Sequence, residues 1–194
     1  MEPLFRYQAT SHAFLARGKE ALAQSDSEGS VDSFFAAAMF LRFGIEARLF
    51  EYLDATFRAL GTAPRPSAEY VASKLLKRLV EADPRAAFDG GVRLTSEQTG
   101  QATSLHFTPV TKELATLHGK LGGLLHFSFF RQNPDWPLRV NSRNPPRTLL
   151  DYRDLLVRTV DELTRATSGR LLSHPRFAEI VSDIVDECED DIAP

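Results

Sequence analysis

Three charged residues interrupt the most apolar stretch of the chain: Arg42, Glu46 and Arg48 fall inside residues 31–57, VDSFFAAAMFLRFGIEARLFEYLDATF. Arg42 and Glu46 are four residues apart, one helical turn, so the carboxylate sits where it can hold the guanidinium. Exposed, such a pair contributes only about 0.3–0.5 kcal/mol. Buried, it adds little net stability yet is costly to break, because desolvation offsets the attraction. The same geometry offers chemistry, since an intrahelical carboxylate can hold a guanidinium towards an oxyanion. Two readings therefore stand, a structural network reaching other helices and an anion-binding site. Arg48, one turn beyond Gly44, extends either.

Histidines supply a second pattern. His118, Gly122 and His126 recur at i, i+4 and i+8 in TKELATLHGKLGGLLHFSFF. The two imidazoles are about 12 Å apart along a helix, too far to share one metal ion. Cys188 is the single cysteine, so no metal site is expected. Each histidine reads as a helix-interface residue donating to a carbonyl or carboxylate, with acid–base or phosphate contact as the functional alternative.

A third pattern is the density of arginine between residues 131 and 153, where Arg131, Arg139, Arg143, Arg147 and Arg153 face only Asp135 and Asp151. Beside Asn133, Asn141, Asn144 and Trp136, these arginines suit phosphate or single-stranded nucleic acid. Pairing with the acidic C-terminal residues, from Glu179 to Asp191, is the plain alternative. The ligand-binding candidates are therefore Arg42, Glu46, Arg48, His118, His126, Arg139, Arg143 and Arg147. Catalytic candidates are lacking: the chain has no G-x-S-x-G, no phosphate-cradling glycine loop before a lysine, no dinucleotide fingerprint and no H-E-x-x-H. No cofactor is expected.

The elements that must position these residues follow from periodicity and punctuation. A first helix is expected over about residues 4–24, followed by a polar loop at SDSEGS, residues 25–30. The second helix, from residue 31 to about 60, is stopped by GTAPRP with its glycine C-cap and two prolines. Short loops join antiparallel neighbours, so these two form a helical hairpin. SAEYVASKLLKRLVEADP predicts a third, amphipathic helix. Residues 86–110 change pattern, with Asp89-Gly90-Gly91 and Thr99-Gly100 turn signals between short alternating pieces, and predict a small β-hairpin or irregular excursion. A fourth helix, starting at Thr108-Pro109 or at Thr111 just beyond, is expected to pack on the second, Gly44 and Gly122 allowing close approach so that Arg42, Glu46 and the histidines meet. Two helices, from about residue 148 and from His174, close the chain. The result is a mainly α, up-and-down bundle of about six helices in a single domain, residues 1–194.

Composition bounds the rest. At 194 residues with 43% hydrophobic and 25% charged residues, the chain is that of an ordinary globular protein with enough length to bury a core. A net charge of -3 argues against a generally basic nucleic-acid-coating protein while leaving room for a local basic face. One cysteine fits a reducing compartment, and no secretory signal pattern stands at MEPLFRYQATSHAF. A cytoplasmic protein is expected. Asp32, Arg42, Glu46, Arg48, Glu51 and Asp54 interrupt the apolar stretch too often for a membrane span.

AAAMFLRFGIEARLFEYL followed by LHGKLGGLLHF is similar to the helical core of HEPN-type domains, where an apolar helix with an embedded arginine and glutamate packs on a later helix carrying a histidine. The resemblance covers about half the chain. It implies an up-and-down bundle, often dimeric, in a superfamily that holds RNA-cleaving toxins and defence proteins alongside many non-catalytic members. The nucleases carry an arginine followed by a histidine after four to six residues near the start of a late helix. Here that spacing occurs only from Arg6 to His12, in the first segment, and neither His118 nor His126 has an arginine at that distance before it. The resemblance thus implies a non-catalytic or degenerate member that binds RNA or another phosphate-bearing ligand. A homodimeric interaction module, and a ribonuclease with a non-standard Arg/His pair, are the alternatives.

Overall fold

The computed structural model describes residues 9–61, 71–82, 84, 90–95, 99–107, 110–125 and 149–168. These form five helices, α1 (Ser11–Glu28), α2 (Val31–Ala59), α3 (Ala72–Ala82), α4 (Lys112–Leu125) and α5 (Leu149–Ser168), and two strands, β1 (Gly90–Thr95) and β2 (Ala102–Phe107). The protein is mainly helical. Among the described residues, no helix is long and apolar enough to cross a membrane. The expected helix from His174, and the arginine-rich segment up to Arg147, lie outside the described residues.

Chain contacts separate two compact units: residues 1–47 with 113–164, and residues 48–112 with 165–194. The first holds α1, most of α4 and α5, and the N-terminal part of α2. Within the described residues helix α1 starts at Ser11, where Thr10 caps it: the Thr10 hydroxyl accepts from the Ala13 N–H at 3.2 Å; residues 4–8 of the expected first helix lie outside the described residues. The helix ends later than expected. Ser25 to Glu28, expected as a loop, continue the helix, with Gln24 donating to Glu28 at 3.1 Å and the Ser27 hydroxyl to the Gln24 carbonyl at 3.1 Å. Gly29 then closes it in the left-handed region, φ 65°, donating to the Ser25 carbonyl. Turn-forming composition was outweighed by side chains that bond within the helix's own last turn.

Only Gly29 and Ser30 join α1 to α2, and the contact register makes the pair antiparallel. A Cβ on Gly18 would lie 2.8 Å from Leu41, and one on Gly44 would lie 3.4 Å from Phe14 Cβ. The paired residue numbers sum to 59 and 58, as antiparallel helices require. Helix α5 joins through Leu163, 2.7 Å from the position of a Gly44 Cβ, and through Arg153, which grips Asp26 of α1 at 2.7 and 2.9 Å. Helix α4 joins α5 through Arg158 to Glu113 at 2.7 Å. The atoms nearest a Cβ at Gly44 therefore belong to α1 and α5. The core between these helices includes Leu15, Leu41, Ile45, Leu117, Leu121 and Leu156, all buried.

The second unit contains α2 from Arg48 onward, α3, and the strand pair. Helix α2 ends at Ala59, and Gly61, φ 65°, bonds back to the Arg58 carbonyl at 3.0 Å. Tyr52, Leu53, Leu75, Leu79 and Val110 are buried. Helix α3 is strongly amphipathic, with Leu75 and Leu79 inward and Lys74 and Lys77 outward. Strands β1 and β2 run antiparallel, from Gly90 opposite Phe107 to Thr95 opposite Ala102.

Candidate functional site

The first unit brings Arg42, Glu46 and His118 together. Helix α2 supplies Arg42 and Glu46 one turn apart, and α4 supplies His118, whose side chain is almost wholly buried while the other two are each 16% exposed. His118 Nε2 lies 2.7 Å from Glu46 Oε1 and 3.2 Å from Arg42 Nε; Arg42 Nε lies 3.3 Å from the same Oε1. A neutral imidazole nitrogen is either donor or acceptor. An unprotonated Nε2 would set its lone pair against a carboxylate oxygen at 2.7 Å, which is repulsive, so Nε2 carries the hydrogen and donates to Glu46. Arg42 Nε–H donates to Oε1 as well, and the 3.2 Å approach of Arg42 to His118 is then two donors drawn together by one acceptor.

This geometry leaves specific atoms available. Arg42 spends its Nε–H on Glu46, and among the described residues no bond is recorded to its two terminal nitrogens. A guanidinium tethered at Nε keeps two terminal NH₂ groups for another acceptor, and a partly exposed position lets a ligand reach them. Glu46 fixes where that fork points. The burial of His118 at the interface fixes Glu46 in turn.

Arg48 does not join this group. Two residues past Glu46, it points about 200° further round the helix, and it belongs to the second unit. It is fully buried, with Nη1 3.6 Å from Glu51 Oε2 and its guanidinium carbon 5.0 Å from the Tyr52 ring centroid. At 3.6 Å the Glu51 contact is an ion pair beyond hydrogen-bond length, and among the described residues none of the three Arg48 nitrogens has a hydrogen-bond partner. Burial pushes the Arg48 pKa down, and the Glu51 carboxylate opposes the shift. Sequence spacing offers no sign that Arg48 is enclosed while Arg42 is not. Both sit in the same apolar run, and only the neighbours packed on α2 distinguish them.

His126, Arg139, Arg143 and Arg147 lie outside the described residues. Among the described residues, no group of three or more His, Cys, Asp or Glu side chains could hold a metal ion. Two ion pairs absent from the candidates proved structural, Arg153 with Asp26 and Arg158 with Glu113. Each joins helices far apart in sequence, so no local spacing could have signalled them. No protein-family model, no curated protein and no solved structure matches this chain.

Proposed function

We propose that this chain is a non-catalytic, HEPN-like helical protein that binds RNA or another phosphate-bearing ligand, with Arg42 as the phosphate contact. The observation that carries the reading is the tethering of Arg42 through Nε to Glu46 at 3.3 Å, beside His118, with the side chain still partly exposed. A guanidinium held this way has lost part of its rotamer freedom in advance, so less entropy is spent when it grips a phosphate. His118, tied to Glu46, acts as a positioning residue. Arg139, Arg143 and Arg147 add phosphate contacts in this reading.

Fluorescence anisotropy with labelled single-stranded RNA at low ionic strength tests it. Wild-type protein is expected to bind and to weaken as salt rises; Arg42→Ala is expected to bind about tenfold more weakly, the scale of one lost charge-assisted contact of roughly 1.5 kcal/mol. Arg58→Ala, which removes an exposed arginine paired with Asp54, is expected to change little. Absence of any wild-type binding at low salt would overturn the reading.

A second reading rests on α2 as well. Val31, Met39 and Phe43 are each 39% exposed although large and apolar, and Met39 and Phe43 lie one turn apart on one face. This favours a homodimeric interaction module with α2 at the contact. Light scattering that gives a monomer mass at every concentration would end it; a dimer lost in Met39→Glu would support it.

A further inference from the structure

Arg48 presents a physical anomaly within the second unit. It is fully enclosed, and its Nε, Nη1 and Nη2 all lack hydrogen-bond partners among the described residues. An arginine keeps its charge and carries five N–H donors, so enclosing them unmet is costly. Native proteins leave few such groups. The Tyr52 ring covers the guanidinium with its centroid 5.0 Å from the guanidinium carbon, a favourable contact that uses none of the donors. Glu51 reaches Nη1 with a single oxygen at 3.6 Å. It sits three residues along the same helix and misses the bidentate arrangement that matches a guanidinium. Its side chain is 18% exposed whereas that of Arg48 is enclosed. The carboxylate therefore spans the distance between the buried cation and solvent.

We propose that Arg48 is the receptor for a small oxyanion, a phosphate or a carboxylate, that displaces the Glu51 carboxylate. The incoming anion takes two parallel N–H donors of the Arg48 fork, and Glu51 turns outward to water. In its absence Glu51 serves as a weaker internal anion that keeps the cation from being wholly uncompensated. No bond is made or broken. The site is separate from Arg42 and stands or falls independently of it.

Thermal unfolding of the full chain, followed in sodium phosphate and in sodium acetate against sodium chloride at matched ionic strength and one neutral pH, tests the proposal. Wild-type protein is expected to show a saturable rise in midpoint with at least one of the two anions. Saturation in phosphate alone identifies a phosphate site, and saturation in both identifies a general oxyanion site. Arg48→Met is expected to fold, since the Glu51 carboxylate it leaves behind is partly exposed and can be met by water instead of staying a buried unpaired charge, and to retain only the unsaturable rise that excluded salts give any fold. Arg42→Ala is expected to keep the saturable curve. Glu51→Gln, which removes the competing charge, is expected to lower the half-saturating concentration by about two- to fivefold, the scale of a partly exposed ion pair. If Arg48→Met does not fold, Arg48→Lys, which keeps the charge and loses the fork, is expected to raise the half-saturating concentration. An unchanged curve in Arg48→Met or Arg48→Lys, an unchanged half-saturation in Glu51→Gln, or no saturable rise in wild type with either anion overturns the proposal.

Discussion

At the scale of single residues, Glu46 is the centre of its cluster because one oxygen accepts from two donors, Arg42 Nε–H and His118 Nε2–H. Removing either donor leaves the other bond in place. Removing the acceptor leaves two donors 3.2 Å apart with nothing between them. Glu46→Ala is therefore expected to destabilise the fold by about 1–3 kcal/mol, more than Arg42→Ala does, as read by urea denaturation. Asp26 makes a different prediction. The Arg153 guanidinium bonded to it holds its carboxyl below 3.8. A depressed folded-state pKa means stabilisation fully present above the unfolded value and lost as pH falls through the folded one. In Arg153→Ala, an NMR titration should find the Asp26 pKa back near 3.8, and acid unfolding should lose the part of its slope that lies below that value. Both groups are well exposed, so the effect should be small and should fade in salt. Of these residues, Arg42, Glu46 and His118 were legible from helical spacing and from the apolar faces expected to pack. The Asp26–Arg153 pair was not, because its partners are 127 residues apart and an exposed aspartate near a chain turn carries no mark of what will fold against it.

Helices α1 and α2 show what an element can demand of a position. Gly18 and Gly44 stand where the helices touch: a Cβ on Gly18 meets Leu41 Cγ and Cδ2 at 2.8 Å, and one on Gly44 meets Leu163 Cδ2 at 2.7 Å. Among the described residues, nothing lies within 4 Å of such a Cβ at Gly119, on α4. The same substitution should thus have opposite signs. Gly119→Ala should stabilise by up to about 1 kcal/mol through helix propensity. Gly18→Ala gains the same propensity but forces buried Leu41 aside, an overpacking cost of about 1–3 kcal/mol, so it should destabilise overall. Chemical denaturation of the two variants side by side checks the sign. Glycine content alone did not separate these positions. The pairing expected from sequence placed Gly44 against α4 and did not foresee that its nearest neighbours are Phe14 of α1 and Leu163 of α5, because helix composition gives the apolar face without saying which of several apolar partners takes it.

At the scale of the whole molecule, a net charge of -3 means that the proposed RNA binding would have to come from a few local cations, not from a general basic field. That sets a measurable quantity. If Arg42, Arg139, Arg143 and Arg147 each meet one phosphate, the slope of log K against log salt should be about 4 × -0.7, roughly -2.8, for single-stranded RNA, and Arg42→Ala should reduce its magnitude by about 0.7. An unchanged slope in that variant would separate Arg42 from the contact. The sequence by itself determined the helical class, the principal apolar helix with its glycine stop at Gly61, and the turn that brings Arg42 and Glu46 together, because helical periodicity, capping and i, i+4 spacing are local properties. Only the tertiary structure decided that one Glu46 oxygen sits within hydrogen-bond distance of both Arg42 and His118, that α1 runs on to Gly29, and that Arg48 is enclosed without a hydrogen bond among the described residues while Arg42, in the same run, keeps part of its surface. Those outcomes depend on which helices pack on which faces, and burial is set by neighbours distant in the chain.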